Sequence, residues 1–380
     1  MSRDLMVTNA HVVSRDADFP GSVRVVDGHI VEIEPGGTGR ADALDFGGDL
    51  LMPGLVELHT DVLEKHLAPR PGVQWPFLAA VLAYDAQLAV AGITTVLDSL
   101  AFGYVIDSGQ RARDPGSLVA AIRVARAGGL LKAEHLLHLR CEVSTEHVVA
   151  DFAPHAEDPL VRLVSLMDHA PGQRQFTNVA TYRDYNKGKY GLSDAELDAL
   201  VARRVADRLK YGDAHRAAIL SLCEAGRLPL ASHDDATTGH VEEAAKAGMV
   251  IAEFPTTLEA ARAAKAYGLA IVAGAPNLVM GRSHSGNVSV GELAAERLLD
   301  VLSSDYVPAS ALHGAFLLHC RHGWSLPDAI ACVTATPAER VGLDDRGEIA
   351  PGRIADLVRV RLVDDLPLVV AVWREGRRVA

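Results

Sequence analysis

Apolar and polar positions alternate with a period of two at both ends of the chain, while short apolar runs separated by helical patterns fill the middle. Leu5–Val13 and residues 22–26 alternate as half-buried strands do, and Asp27-Gly28 forms a hairpin signal before His29-Ile30-Val31. Near the other end, Gly347-Glu348-Ile349 and Pro351-Gly352 precede an apolar segment at 355–360. Residues 369–373 then lead through Glu375-Gly376 to Arg377-Arg378-Val379. Neither end can bury much surface alone. The economical expectation is one β-sandwich built jointly by residues 1–51 and 344–380.

Between them, over residues 52–343, eight candidate strands stand out: 56–61, 94–99, 137–143, 162–169, 229–234, 250–255, 270–275 and 302–305. Helical patterns, such as 195–211 and 241–247, separate most of them. Eight βα units predict an α/β fold of the (β/α)8 TIM-barrel type over a doubly wound sheet, which usually has fewer strands.

In such a barrel the active site lies at the C-terminal strand ends. Here those ends are polar: His59-Thr60-Asp61, Arg140-Cys141-Glu142, Asp168-His169, His233-Asp234-Asp235 and Ser304-Asp305-Tyr306. Residues two apart share a face of an extended strand, which groups His59 with Asp61 and Arg140 with Glu142. A single histidine of this kind is more often a satisfied core residue. Five polar ends in one barrel favour a site for a divalent ion, zinc or a similar metal, with one ion or a carboxylate-bridged pair. The candidate ligands are His59, Asp61, Glu142, His169, His233 and Asp305. Glu142 stands evenly between a bridging ligand and a salt-bridge partner of Arg140 or Lys132. Asp305 is also the candidate catalytic residue, placed to orient or deprotonate a metal-bound water. Glu253 is expected to be structural or to support the ligands from behind.

A second set of residues suits anions. Lys65, His66 and Arg70 follow the first barrel strand. Arg174, in Pro171-Gly172-Gln173-Arg174-Gln175, follows the fourth, with Arg183 and Lys187-Gly188-Lys189 soon after. Gly281-Arg282-Ser283-His284-Ser285-Gly286-Asn287 follows the seventh. Backbone N–H groups of Gly and Ser loops approach phosphates closely, and Arg adds bidentate charge. Any one of these side chains alone reads as a solvated surface charge. As a set behind barrel strands, Lys65, Arg70, Arg140, Arg174, Lys187, Arg282 and His284 are the candidates for binding a small anionic substrate.

Composition sharpens this reading. The 380 residues are 49% hydrophobic but only 5% aromatic, so Ala, Val, Leu and Ile supply the core, as buried parallel strands under Ala-rich helices require. No apolar run approaches the ~20 residues of a membrane span, so no membrane partner is expected. Met1-Ser2-Arg3-Asp4 leads into a strand pattern rather than a secretory signal. Cys141, Cys223, Cys320 and Cys332 are widely spaced, as reduced thiols of a cytoplasmic protein would be. The formal charge of −12 argues against nucleic-acid binding. It does not exclude a polyanionic substrate, because divalent cations and nearby basic residues set the field in a barrel mouth.

At the level of motifs, Met52-Pro53-Gly54-Leu55-Val56-Glu57-Leu58-His59-Thr60-Asp61 resembles the opening strand of the amidohydrolase superfamily, with His-Thr-Asp where His-x-His is usual. Five further segments narrow the resemblance: Glu64-Lys65-His66, Gly92-Ile93-Thr94-Thr95-Val96-Leu97-Asp98, Leu139-Arg140-Cys141-Glu142, Ser165-Leu166-Met167-Asp168-His169 and Ser232-His233-Asp234-Asp235. With Ala252-Glu253-Phe254-Pro255, Gly274-Ala275-Pro276-Asn277 and Leu302-Ser303-Ser304-Asp305-Tyr306, essentially the whole chain is similar to the PhnM-type branch of the bacterial carbon–phosphorus lyase pathway. Val62 stands where that branch usually has Asn, and Tyr84 where it usually has His.

The resemblance implies a metal-bearing barrel, a homo-oligomer, and hydrolysis of α-D-ribose 1-methylphosphonate 5-triphosphate to the 5-phosphate with release of diphosphate. Asp305 would then handle the proton, and Lys65, Arg174 and Arg282 would offset charge on the departing diphosphate. Deamination or cyclic-amide hydrolysis on the same site is the nearest alternative, but it would not require the basic loops. A non-catalytic subunit of a lyase assembly would require none of the candidate ligands.

Overall fold

The structure is a computed structural model and describes residues 4–70, 72–103, 115–176, 179–283 and 286–380. Five strands open the chain: β1 (Leu5–Val13), β2 (Asp18–Val26), β3 (His29–Pro35), β4 (Leu44–Asp45) and β5 (Leu50–Pro53). The eight runs of the middle segment follow as β6 (Leu55–Glu57), β7 (Ile93–Phe102), β8 (Glu134–Glu142), β9 (Val161–Met167), β10 (Leu230–His233), β11 (Ile251–Glu253), β12 (Ala270–Gly274) and β13 (Val301–Ser303). Three more close the chain: β14 (Leu357–Val363), β15 (Leu366–Arg374) and β16 (Arg377–Arg378).

Strands β6 to β13 lie side by side in chain order, all parallel. The curve closes where Thr60 bridges Asp305: Asp61 N–H donates to Asp305 O at 2.8 Å, and Asp305 N–H donates to His59 O at 3.1 Å. This is the expected (β/α)8 barrel. Val56, Leu97, Leu136, Leu163, Ile251, Val272 and Val301 fill its interior below the mouth. A larger aliphatic layer packs the outer strand faces against the helices. Both faces of each strand are therefore dry, which is why these segments read as continuous apolar runs.

The two chain ends join in a second sheet, ordered β16-β15-β14-β5-β1-β2-β3 with β4 on β1. Strand β5 sits between β1 and β14 and so ties the ends together. The sheet is hydrogen-bonded in one continuous path and has its own core, where Phe46 stacks on Trp373 at 5.9 Å between ring centroids. Gly54 hands the chain from β5 to β6 at a point where a Cβ would lie 2.1 Å from Thr94 Oγ1, so only glycine fits.

Two boundaries differ from expectation. The helical pattern at 195–211 belongs to a 33-residue helix, Asp194–Gly226, which opens with a Ser193/Glu196 capping box. It runs on through Gly212, where a Cβ would collide with the Arg208 guanidinium; the missing side chain makes room for that group. Strands β8, β10 and β11 keep Arg140, Glu142, His233 and Glu253, but β6, β9 and β13 stop short of the polar residues that follow them, and β10 ends before Asp234. Asp234, Phe254 and Asp305 have φ of 56°, 53° and 53°, a left-handed conformation that no strand accommodates. His59 and Asp61 accordingly lie past the end of β6 instead of sharing its face. Among the described residues, no helix is long and apolar enough to cross a membrane.

Candidate metal centre

The left-handed residues turn the chain at three strand ends, and each is held there by its neighbour. Asp234 N–H donates to Glu253 O (2.9 Å) and Phe254 N–H to Val272 O (2.8 Å), while Asp305 makes the closure bond described above. A left-handed non-glycine residue costs about 1–2 kcal/mol, so this geometry survives only where such bonds fix it. Glu57 reinforces the seam from inside, accepting His59 N–H at 2.8 Å and Ser304 N–H at 2.7 Å. Burial pushes the Glu57 carboxyl up to about 7 despite those donors.

Above the seam opens a cavity of about 280 Å³. All six predicted ligands, His59, Asp61, Glu142, His169, His233 and Asp305, line it, together with Asp234. The rings are pinned from behind. Glu253, fully buried, accepts His59 Nδ1–H on one oxygen and His233 Nδ1–H on the other, both at 3.1 Å. Glu142 Oε2 faces His169 Nδ1 at 2.7 Å. The opposite nitrogens point at carboxylates: His59 Nε2 lies 4.0 Å from Asp61 Oδ1, and His169 Nε2 and His233 Nε2 lie 3.3 Å and 3.5 Å from Asp234 Oδ2. His169, His233 and Asp234 are close enough to share one ion.

Burial alone would lower the His169 pKa, but Glu142 and Asp234 overcome it and carry it up to about 9. For His233, burial prevails over Asp234 and Glu253, and its pKa falls below the ordinary value. Burial works against the Glu142 carboxylate too, yet His169 and Arg204 hold its pKa well below the usual range. Imidazole nitrogens and ionised carboxylates converging on one dry floor form a donor set suited to a divalent cation.

His59, His138 and Glu253 also cluster, but the His138 ring is spoken for. Its Nδ1–H donates to Leu58 O and its Nε2 accepts from Ser165 Oγ, each at 2.9 Å. Burial drives its pKa down to about 3, so it forms an uncharged floor.

The basic residues divide. Arg140 is buried in the cavity wall with Nη1 2.5 Å from Asp61 Oδ1, and among the described residues it is the one Arg or Lys in the lining. Lys65 stands at the rim, donating to Tyr306 O at 3.0 Å with its ammonium 5.2 Å from the Tyr306 ring centre. Arg174 corrects the expectation: it is buried but turned away, bonded to Asp235 and to Glu243 (3.2 Å), and it lines a separate small cavity with Arg208 and Arg216. The carboxylates behind the site draw its guanidinium there. Lys187 is likewise taken by Asp194 at 2.8 Å, a bond between consecutive helices. Arg70 and Arg282 are exposed and do not line the cavity. His284 lies outside the described residues. The lobe beyond the metal floor is instead walled by Phe176, Tyr182, Tyr185, Asn186, Asn277 and Asn287.

Sequence reasoning missed Asp234 as part of the cluster, although it directly follows His233. It also missed Arg204, which reaches Glu142 from the long helix and carries no motif. Of the two departures, Tyr84 is fully buried beside His135 and Val62 is buried at the start of the helix Val62–Leu67; neither lines the cavity.

A model described as "Amidohydrolase family" matches residues 82–380. The alpha-D-ribose 1-methylphosphonate 5-triphosphate diphosphatase of Escherichia coli (strain K12) is 44% identical over 377 residues, which cover 99% of this chain and 100% of the relative. A dihydroorotase of Methanopyrus kandleri is 38% identical over 85 residues, 20% of each chain. Among solved structures, the L-hydantoinase (dihydropyrimidinase) of Arthrobacter aurescens aligns over 100% of this chain and 96% of its own, with a TM-score of 0.58 at 16% identity. An N-acetyl-D-glucosamine-6-phosphate deacetylase of Mycobacterium smegmatis aligns over 99% of each, with a TM-score of 0.63 at 17% identity. At these identities the solved structures speak for the fold alone.

Proposed function

The chain belongs to the amidohydrolase family, and from that premise we propose that it hydrolyses α-D-ribose 1-methylphosphonate 5-triphosphate to the 5-phosphate and diphosphate. The observation that carries this reading is the full-length 44% likeness to a diphosphatase of that substrate, in a chain whose barrel mouth gathers seven ligand-type side chains around one cavity. The likeness to the dihydroorotase covers only 20% of the chain, so cyclic-amide hydrolysis has much weaker support.

His59, His169 and His233, with Asp61, Asp234 and Asp305, are the residues that would hold the metal, and Glu142, whose oxygens are taken by Arg204, Ser144 and His169, would orient the His169 ring. The imidazole share of that set favours zinc, as one ion or a pair. A bound divalent ion supplies a water acidified to near neutral pH and positive charge for phosphate oxygens. Glu253 keeps the two rings it bonds from turning, so their Nε2 atoms stay aimed at the cavity. Asp305 accepts the proton of the attacking water, whose oxygen bonds to the phosphorus nearest the ribose as the P–O bond to diphosphate breaks. Arg140, already in the wall, faces the phosphoryl oxygens, and Lys65 at the rim meets the departing diphosphate. The aromatic and amide lobe accommodates the ribose end. The four free cysteines, three of them buried, favour a reducing, cytoplasmic setting.

Purified protein loaded with zinc should release diphosphate from the ribosyl methylphosphonate triphosphate and no ammonia from adenine. Ammonia release with no diphosphate would replace this reading with the deaminase one.

A further inference from the structure

Arg204 sits in the long helix Asp194–Gly226 and is 1% exposed, among the largest fully enclosed side chains of the molecule. A guanidinium so far from water is tolerated only when its charge is met in place. Glu142, 2% exposed, meets it. Arg204 Nη2 donates to Glu142 Oε1 at 3.0 Å and to Ser144 Oγ at 2.8 Å, and Nη1 donates to the Ser144 carbonyl at 3.0 Å. Ser144 Oγ donates to the same Oε1 at 2.6 Å, and so does the His169 backbone N–H at 3.1 Å. With Oε1 taken by three donors, the carboxylate cannot rotate, and Oε2 is left on His169 Nδ1. A turn earlier in the same helix, Leu200 packs on Phe176 and Tyr182, two side chains of the substrate lobe. One helix thus supports the wall of the lobe and the carboxylate that faces His169.

We propose that Arg204 is a positioning residue: acting through Glu142, it sets the His169 ring in the metal centre and ties that ring to the wall of the substrate lobe. The proposal rests on the metal-centre reading above. It predicts a coupling between Arg204 and Glu142 that a purely structural arginine would lack.

The test is a double-mutant cycle of wild type, Arg204→Met, Glu142→Gln and the double variant, read by zinc affinity in chelator competition and by the visible spectrum of the cobalt-loaded protein. Because Arg204→Met alone strands a buried carboxylate and can prevent folding, Arg204→Lys serves as a parallel arm; it keeps the charge and loses the fork. Substituting Arg204 on the wild-type background should weaken zinc binding about 10–100-fold, the usual cost of losing a group that orients a ligand, and shift the cobalt bands. kcat should fall more than KM rises. On the Glu142→Gln background the same substitution should cost under about threefold, since the route is already cut. Equal losses on both backgrounds, or folded Arg204 variants with wild-type zinc affinity and cobalt spectrum, would overturn the inference alone. A wild-type chain that binds no divalent ion would overturn the metal-centre reading, and this inference with it.

Discussion

Two clusters of histidine and carboxylate sit one layer apart in this barrel, and they differ in what their rings face. At the mouth, His59, His169 and His233 each have one nitrogen on a glutamate and the other turned toward a cavity. Behind the wall, between β7, β8 and the helix Phe77–Val90, His135 has both nitrogens occupied. Its Nδ1 lies 2.9 Å from Asp98 Oδ2 and its Nε2 3.2 Å from Asp85 Oδ1, with Asp85 also accepting the backbone N–H groups of Lys132 and Ala133. His135 is fully buried and lines neither of the two cavities described above. The residue types are the same in both clusters. What separates a ligand from a bolt is a nitrogen left facing a space large enough for an ion and a substrate.

The sharpest way to break this contrast is to delete a ring from each side. His233→Ala should lower diphosphate release by ~10³-fold or more in protein that still folds by circular dichroism, because several kcal/mol of charge stabilisation go with the ion it would help hold. His135→Gln should do the opposite. It leaves two buried aspartates facing a neutral amide and should cost about 3 kcal/mol of stability in urea unfolding, with kcat of the folded protein within about threefold of wild type. If His135→Gln abolished turnover in folded protein, the division would be wrong.

Glu253→Gln asks whether the carboxylate behind the rings matters to the metal. Zinc affinity, measured by chelator competition, should drop about 10–100-fold without loss of fold. A milder probe uses pH. Burial lowers the pKa of His135, but Asp98 and Asp85 outweigh it and carry it up to about 9, against an ordinary value near 6.5. A raised pKa means that the folded state holds the proton more tightly. The stabilisation is therefore complete below about pH 6.5 and is lost as pH rises through about 9. Urea unfolding at pH 6 and 9.5 should show that loss in wild type and a flatter profile in His135→Gln. Smallest of all, Lys65→Ala should lower kcat/KM only a few-fold, as expected for an exposed cation at the rim that meets the departing diphosphate.

How much of this could be read from the sequence follows the same physics. The barrel strands were legible because both faces are dry, and the shared sheet because neither end can stand alone. The ligand-type residues were legible as polar interruptions at the ends of apolar runs. Asp98 and His135 are polar interruptions too, yet they turn outward to the helix layer, and periodicity does not tell which face of a buried strand holds a cavity. The left-handed turns at Asp234, Phe254 and Asp305 depend on bonds to neighbouring strands, so the true strand ends were hidden. Arg174 looked like a phosphate ligand because its loop has the right composition; its capture by Asp235 and Glu243 is a tertiary event. Arg204 was invisible for the same reason, being one of several arginines in a long helix whose partner lies 62 positions away.

The central claim, that the ring nitrogens and carboxylates at the mouth hold the ion on which diphosphate release depends, is tested most directly by counting metal and product together. Protein stripped by chelator should release no diphosphate, and titrating zinc back should restore the rate in step with ions bound per chain, saturating at one or two. A stripped chain that kept its full rate, or one whose rate returned without bound metal, would contradict it.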